Sequence, residues 1–130
     1  MSTDKPDESY ENFDEFWAHY LAEHSDPTNR LLHAVGTTAA IATVAAAIIK
    51  RKPKLLALAP LVGYGPSWIG HFLIEKNRPA SFGNPLWSLR GDLKMLKLMI
   101  NDELDEEVLR LIAEGKSSPK MLADLASAAE

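Results

Sequence analysis

The sequence predicts an all-α fold: a small helical membrane protein with an antiparallel hydrophobic helical hairpin and flanking amphipathic helices. Two observations support this prediction. Apolar residues recur with the 3.6-residue period of an α-helix along most of the chain, and no stretch alternates as a β-strand would. Two long apolar runs, residues 31–49 and 55–74, are separated only by a short basic segment. We therefore expect a hairpin of two helices and no β-sheet.

The chain has 130 residues, which suits a single domain with one core. Residues 1–11 are acidic and polar, and we expect a flexible lead-in. Residues 12–100 form the predicted main body, and residues 101–130 are predicted to add amphipathic helices at the C-terminal end. The sequence does not indicate an oligomeric state.

Composition excludes some classes of function. The chain contains no cysteine, which rules out disulfides and zinc–thiolate sites. The formal net charge is -4, with basic residues concentrated in 50–54 and 75–101. Because these basic residues do not form a stripe interleaved with exposed aromatic residues, we do not expect nucleic acid as a partner.

The first helix is predicted to begin near Asn12 or Phe13. One face of this helix is apolar and aromatic, and His24 falls on it; its members are Phe13, Phe16, Trp17, Tyr20, Leu21 and His24. His19 and Glu23 lie together on the flank, four residues apart. Taken alone, His24 could equally be a packed, hydrogen-bonded core histidine.

Each of the two apolar runs approaches the roughly 20 residues that an α-helix needs to cross a bilayer. The turn between them, residues 50–54, carries four basic residues and a proline. We therefore predict a multi-pass membrane protein with two hydrophobic segments. The basic turn favours a cytoplasmic position by the positive-inside rule, but the basic region 75–101 favours the same side for the opposite end. A soluble protein with a buried hairpin is the alternative.

Counting along the chain brings the histidines together. His33 lies nineteen residues before Lys52 in the turn, and His71 lies nineteen residues after it. In an antiparallel hairpin the two histidines reach the same depth, to within about one helical turn because of the prolines and glycines in the second run. The helix that carries His19 and His24 joins at that end. All four histidines are therefore expected at one membrane–water boundary.

Imidazoles and carboxylates that converge in a chain without cysteine favour a metal with nitrogen and oxygen ligands. An ionisable side chain at the edge of a membrane segment is also a functional candidate. The predicted ligands of one divalent metal, and the predicted catalytic residues, are His19, His24, His33 and His71. Glu23 and Glu75 can either bind the metal directly or orient a histidine by hydrogen bonding, and both possibilities stay open.

Two further patterns concern packing. Gly36, Thr37 and Ala40 share a face with His33, and such small residues let two helices approach closely. After residue 85, one apolar face runs along a predicted helix: Leu86, Leu89, Leu93, Leu96 and Ile100. With Trp87 at its start, this helix is typical of one that lies in a membrane interface, and a helix that covers a soluble core is the alternative. Gly115 is predicted to close a further helix, and Ser118 and Pro119 to begin a last short one.

The runs HYLAEHSDPTNRLLHAVGT and GYGPSWIGHFLIEKNRPASFGNPLWSLRGDLKM resemble the fungal-type 2-hydroxy fatty acid dioxygenases, a family of small membrane proteins. The resemblance covers residues 13–99. It implies an Fe(II)-dependent dioxygenase that uses dioxygen to shorten a 2-hydroxy fatty acid by one carbon, a step of fatty acid α-oxidation. The histidine positions of the family fall on His19, His24, His33 and His71. Fungal members are longer than this chain, so the family's metal site is carried over to this chain more directly than its substrate or its membrane topology.

The predicted partners are accordingly a 2-hydroxy fatty acid, dioxygen and membrane lipid. Five residues are candidates for supporting the metal ligands or binding the substrate: Glu23, Asn29, Glu75, Asn77 and Arg78. Arg78 is the candidate partner of the substrate carboxylate, because a guanidinium can hold a carboxylate through two hydrogen bonds. Two alternative functions are a metal-dependent membrane hydrolase, in which a bound water is the nucleophile, and a non-catalytic membrane adaptor.

Overall fold

A computed structural model describes residues 10–79 and 83–116 and is helical throughout, with no strand in these two ranges. The all-α prediction is confirmed for this part of the chain. The described residues form five α-helices: α1 (Phe13–Glu23), α2 (Pro27–Ile49), α3 (Leu58–Ile69), α4 (Pro85–Ile100) and α5 (Leu104–Ala113). A 3₁₀ helix, Pro53–Ala57, leads into α3, and a π-helical turn, Gly70–Glu75, follows it.

The first two helices begin at side-chain caps. Asn12 precedes α1 and its side chain accepts a hydrogen bond from the backbone N–H of Glu15 at 2.9 Å, which confirms the predicted start. Asp26 caps α2 by accepting from the N–H of Thr28 at 2.8 Å, and Pro27 takes the first helical position, where a missing N–H is tolerated. Only a short link therefore separates the two helices, and it contains His24.

The hairpin forms, but its second arm is not one continuous α-helix. We define the second arm as residues 53–75; it consists of the 3₁₀ helix, α3 and the π-helical turn in succession. Pro53 starts the 3₁₀ segment and Pro66 lies inside α3, where it removes a backbone donor. Asn29 packs on Gly70 and Gly36 packs on Gly63, so the two arms run antiparallel, as predicted.

The arms cross closely where both carry glycine. A Cβ atom built on Gly36 would lie 2.6 Å from the carbonyl oxygen of Gly63, and one built on Gly63 would lie 3.3 Å from the Cβ atom of Ala40. Backbone therefore contacts backbone at this point. The predicted close approach through small residues is confirmed.

The aromatic face of α1 is buried against α4 and α5. The core residues are Phe13, Phe16, Trp17, Tyr20, Leu21, Met95, Leu104, Val108 and Leu111. Arg90 and Lys94 of α4 cover the outer edge of this core, with the Arg90 guanidinium carbon 3.9 Å from the Phe13 ring centroid. The predicted apolar face of α1 is confirmed as a core face.

The hairpin, in contrast, directs apolar side chains outward. Ile49, Leu61 and Leu73 are 80%, 68% and 70% exposed. Among the described helices, α2 alone is long and apolar enough to cross a membrane by length and composition, and 22% of its most apolar 18-residue stretch is buried in the protein. The second arm does not meet this criterion because its α-helical part, α3, has only 12 residues.

The predicted apolar face of α4 also points outward. Leu86 and Ile100 are 80% and 73% exposed, whereas the buried residues of α4 are Ser88, Gly91 and Met95. Gly91 lets the helix sit on the Tyr20 ring, because a Cβ atom there would lie 3.0 Å from Tyr20 Cδ2. The α4 helix thus contacts the core through Gly91 and Met95, with Trp87, Leu98 and Met99 packed against it, and keeps its leucine face outside the core.

The C-terminal part follows the prediction as far as it is described. Helix α5 is amphipathic and is followed by Gly115 in the left-handed region at φ 74°. The predicted lead-in before residue 10 and the predicted last helix at Ser118 and Pro119 lie outside the described residues.

Candidate metal centre

Three of the four histidines converge at the open end of the hairpin. His24 lies in the link after α1, His33 in α2, and His71 in the π-helical turn. All three are buried, and one ring nitrogen of each lies within 4.8 Å of the corresponding atoms of the other two. The ring centroids are 4.3–4.8 Å apart and the ring planes are nearly perpendicular, at 84–88°. Three separate segments therefore contribute one imidazole each to a single point.

Two of the rings are oriented by the backbone one helical turn earlier. His24 Nδ1 lies 2.6 Å from the carbonyl oxygen of Tyr20, and His33 Nδ1 lies 2.9 Å from the carbonyl oxygen of Asn29. A carbonyl oxygen can only accept, so each Nδ1 carries the hydrogen and donates it. The Nε2 atom of each neutral ring is therefore left with a lone pair.

The third ring is oriented by a side-chain amide. His71 Nδ1 lies 2.6 Å from Asn77 Oδ1, while Asn77 Nδ2 donates to the carbonyl oxygen of Glu23 at 3.1 Å. The second bond fixes which end of the amide faces His71, so His71 Nδ1 is also the donor. The backbone N–H of Asn77 also donates to the carbonyl oxygen of His71 at 3.0 Å, just after Lys76 takes a left-handed conformation.

The resulting arrangement fits a metal cation. The Nε2 atoms of His24 and His33 lie 2.9 Å apart, although neither has a hydrogen to share in this tautomer. Burial is the main cause that holds the pKa of His24 well below its usual value of 6.5, and the neighbouring His33 and His71 lower it further. The ring is therefore neutral, and no additional proton bridges the two Nε2 atoms. A metal ion between the lone pairs would satisfy them, and an N–H···O bond at the remote nitrogen is the usual support of a metal-binding histidine. The three buried histidines can thus hold a metal ion.

Glu75 and Asn29 brace this site from outside. Glu75 Oε1 accepts from the backbone N–H of Asp26 at 2.7 Å and from Asn29 Nδ2 at 3.4 Å. Asn29 in turn fits against Gly70, where a Cβ atom would come 2.8 Å from its Cγ. These contacts tie the link after α1, the start of α2 and the π-helical turn together, next to His71.

The remaining predicted residues lie away from the three histidines. His19 is not part of that group; its Nε2 pairs with the carboxylate of Glu23, one turn along α1. Glu23 is buried and reaches the site through its backbone carbonyl, which Asn77 contacts. Arg78 is exposed and is not among the residues that line the cavity at the histidines.

Two residues that the sequence did not single out adjoin the site. The Tyr20 ring stacks on the His24 ring, with centroids 3.9 Å apart and an angle of 18° between the planes. The Tyr20 hydroxyl donates to Asp92 Oδ1 in a short hydrogen bond. Burial raises the pKa of Asp92 to about 6, opposed by the Tyr20 hydrogen bond, and also raises the pKa of Tyr20.

A signal for Asp92 existed in the sequence. It lies at the edge of the side of α4 that carries Ser88, Gly91 and Met95, where that side meets Leu89 and Leu93. The leucine face of α4 is strongly apolar and would ordinarily be taken as the core face. Asp92 points inward only if the leucine face is not the core face. Tyr20 lies four residues before His24 on one helical face, so its contact with that ring follows from helix geometry.

An apolar groove lies next to the site. A cavity of about 10 Å³, enough for one water-sized group, adjoins the histidines and is also lined by Tyr64, Ser67, Trp68, Pro79, Ser88 and Asp92. A larger groove of about 500 Å³ runs between α2, α3 and α4. Tyr64 and Asp92 line both spaces, so the groove lies next to the histidine cavity.

A sequence model of the family described as 2-hydroxy-palmitic acid dioxygenase Mpo1-like matches residues 10–104. The chain belongs to this Mpo1-like family. No curated protein and no solved structure matches it. The match spans the three converging histidines, His19 and Asp92, and it confirms the family resemblance found in the sequence. The Mpo1-like family is named for a dioxygenase, which agrees with a buried three-histidine site next to an apolar groove.

Proposed function

We propose that this protein is an Fe(II)-dependent dioxygenase that shortens 2-hydroxy fatty acids by one carbon. The observation that carries the proposal is the set of three buried imidazoles whose Nδ1 atoms are all occupied as donors and whose Nε2 lone pairs converge. The overall reaction balances when one dioxygen is consumed, C1 leaves as carbon dioxide, and one water forms beside the shortened acid.

His24, His33 and His71 are the proposed iron ligands. Neutral imidazoles suit several transition metals, and dioxygenase chemistry, for which the family is named, favours iron among them. Fe(II) held by three protein ligands retains open positions for dioxygen and for a chelating substrate. The sequence also predicted His19 as a ligand; since its imidazole pairs with Glu23 and lies outside the three-histidine group, that role needs a separate test.

The groove between α2, α3 and α4 is the proposed site of the acyl chain. Its volume of about 500 Å³ lies within the range of about 300–1,000 Å³ typical of small-molecule sites, and its walls are mainly aliphatic. Each buried methylene contributes about 0.8 kcal/mol, so affinity should rise with chain length until the groove is filled. The 2-hydroxyl and the carboxylate would then face the histidines beyond Tyr64 and Asp92.

The residues around the site position and shield the reacting end of the substrate. Asn29 and Asn77 orient two of the imidazoles, and Trp68 and Pro79 line the small cavity beside them. Arg78 remains the proposed partner of the substrate carboxylate. Because Arg78 is exposed, Arg78→Ala should raise KM for the substrate and leave the metal content unchanged.

The protein is proposed to act in a membrane. Support comes from the length and apolar surface of α2, the exposed side chains of the second arm, and the outward leucine face of α4. We propose that both arms of the hairpin enter the bilayer. Liposome flotation after a carbonate wash should keep the protein with the lipid, and full recovery as a monodisperse soluble species without detergent would contradict insertion.

Oxygen uptake tests the proposed reaction. The protein is loaded with Fe(II) under argon in detergent, 2-hydroxypalmitate is added, and dioxygen is admitted. We expect oxygen consumption with formation of the fifteen-carbon acid, detected by mass spectrometry from uniformly labelled substrate, and no product with His33→Ala. Unchanged substrate in the presence of iron and dioxygen would contradict the proposal. Oxygen-independent turnover of an ester or amide with zinc would favour a hydrolase, and absence of bound metal would favour an adaptor.

A further inference from the structure

Asp92 is a carboxylate at the point where the apolar groove meets the histidine cavity. It lines both spaces, and among the described residues that line the groove it alone carries a carboxylate; its neighbours Leu89 and Leu93 on α4 are aliphatic. A ligand in the groove whose polar end lies toward the histidines would therefore lie beside this side chain.

We propose that Asp92 is the specificity-determining residue for the 2-hydroxyl group of the substrate, from which it accepts a hydrogen bond. This inference rests on the proposed function, and it adds a residue that distinguishes a 2-hydroxy acid from other chelating acids. Asp92 would touch the substrate at C2, while the imidazoles of His24, His33 and His71 hold the metal.

The hydrogen bonding of Asp92 fits this role. Its Oδ1 accepts from the Tyr20 hydroxyl, which holds the carboxylate in one orientation. An ionised carboxylate has about four acceptor positions, so the Tyr20 bond leaves others for a ligand hydroxyl. Tyr20 is itself fixed by stacking on His24, so the distance between Asp92 and the metal ligands is set by packed groups.

The charge of Asp92 decides whether the hydroxyl or the carboxylate of the substrate lies next to it. The pKa of Asp92 is about 6, so the side chain is mostly ionised at neutral pH and acts as an acceptor. A second carboxylate placed next to it would be repelled, whereas a hydroxyl can donate to it. The substrate carboxylate is therefore expected on the side away from Asp92.

A polar group built to bind a hydroxyl discriminates against ligands that lack the donor, because the site group is then left unpaired. The useful comparison is 2-hydroxypalmitate with 2-oxopalmitate. Both acids can chelate a metal through two oxygens and have equal chain length, but only the hydroxy acid has an O–H to donate. Palmitate lacks the second oxygen and serves as the ligand without a chelate.

The test measures dissociation constants of the three acids by calorimetry under argon, with the full chain loaded with Fe(II) in detergent. For the wild type we expect 2-hydroxypalmitate to bind about 10- to 100-fold more tightly than 2-oxopalmitate, as for a hydrogen bond to a charged group. Asp92→Asn keeps the side-chain volume and an acceptor for Tyr20 but presents an N–H₂ donor. We expect this variant to bind the two acids equally or to prefer the oxo acid.

Two variants separate a direct role from a structural one. Tyr20→Phe removes the hydroxyl and keeps the ring on His24, so it should retain the preference for the hydroxy acid. Asp102→Asn makes the same chemical change at an exposed position and should behave as the wild type. Metal content, measured in parallel, should be unchanged in Asp92→Asn. Equal loss of the preference in Tyr20→Phe and Asp92→Asn would overturn the proposal and assign Asp92 to positioning Tyr20.

The wild-type measurements distinguish the failure of this inference from the failure of the proposed function. If 2-hydroxypalmitate and 2-oxopalmitate bind equally and both more tightly than palmitate, the chelate exists and the role of Asp92 is wrong. If all three acids bind equally, the proposed function itself is contradicted, and the inference falls with it. These measurements need no variant, so they stay informative if Asp92→Asn does not fold.

Discussion

The two halves of this protein use their apolar residues in opposite ways. The half formed by α1, α4 and α5 buries its aromatic and aliphatic side chains in a core, with Trp17 and Leu21 at 1% and 0% exposure. The hairpin contains more apolar residues, yet Leu61 and Leu73 remain 68% and 70% exposed. The hydrophobic effect stabilises the first half by burying its apolar side chains. The second half has an apolar outer surface of the kind that contacts lipid or a partner.

The histidine site lies where these two halves meet. His24 comes from the link after α1, on the core side, while His33 and His71 come from the two arms of the hairpin. Asp92 enters from α4, whose leucine face points outward and whose small residues face inward. A substrate with an apolar chain and a polar end would find both environments at this boundary.

The largest expected effect comes from the same substitution made in the two halves. Leu21→Ala should lower the free energy of unfolding by about 2–5 kcal/mol, since it removes a fully buried side chain and leaves a cavity. Leu61→Ala should change it by less than about 0.5 kcal/mol, because that side chain is exposed. Denaturant unfolding of both variants in one mild detergent measures the difference. Equal losses would mean that the hairpin surface is packed in the folded protein.

A second expected effect concerns Asp92, the partly buried carboxylate between the halves. The pKa of Asp92 is about 6 in the folded protein and near 3.8 when unfolded, so the folded state binds more protons between these values. This contribution to stability is present at low pH and is lost as the pH rises through about 6. The Asp92→Asn variant lacks it, and its stability relative to the wild type should therefore increase by about 2 kcal/mol from pH 4.5 to pH 7.5.

Denaturation of both proteins at the two pH values measures this difference, and comparison of the two proteins cancels the titration of every other group. A pH-independent difference would show that Asp92 titrates normally and is not desolvated.

The smallest expected effect tests the crossing of the two arms. Gly36→Ala should destabilise the protein by about 1–3 kcal/mol, because its Cβ atom would meet the Gly63 carbonyl oxygen and the arms must separate. Gly65→Ala is the matched control in the same hairpin; nothing lies within 4 Å of its Cβ atom, and it should be neutral or stabilising by up to about 1 kcal/mol. Thermal unfolding in detergent compares the two. Equal behaviour would contradict the close crossing.

The sequence was most informative about how far along the hairpin each residue lies, because this follows from counting residues from the turn. Equal distances of His33 and His71 from the basic turn placed them at one level of the hairpin, and the structure brings them together. Counting says less about direction around a helix. His19 lies within α1 and pairs with Glu23, whereas His24 follows the end of α1 and joins the cluster.

The structure of the second arm was harder to predict. Its composition indicated one apolar helix, whereas the arm divides into 3₁₀, α and π segments. The π-helical turn carries His71, and such turns are frequent at functional sites. Asp92 was missed because the leucine face of α4 is the obvious apolar face, and its outward direction is decided by contacts with α1 and by the groove.

The most direct test of the central claim is the metal content of the four single histidine variants. Each protein is loaded with Fe(II) under argon, dialysed, and measured for metal per chain by mass spectrometry, with folding checked by circular dichroism. We expect His24→Ala, His33→Ala and His71→Ala each to lose most of the metal, since each removes one of three converging ligands. His19→Ala should retain most of it, because His19 pairs with Glu23. Loss in His19→Ala equal to that in the other three would restore the four-histidine site, and wild-type metal content in all four variants would contradict the account.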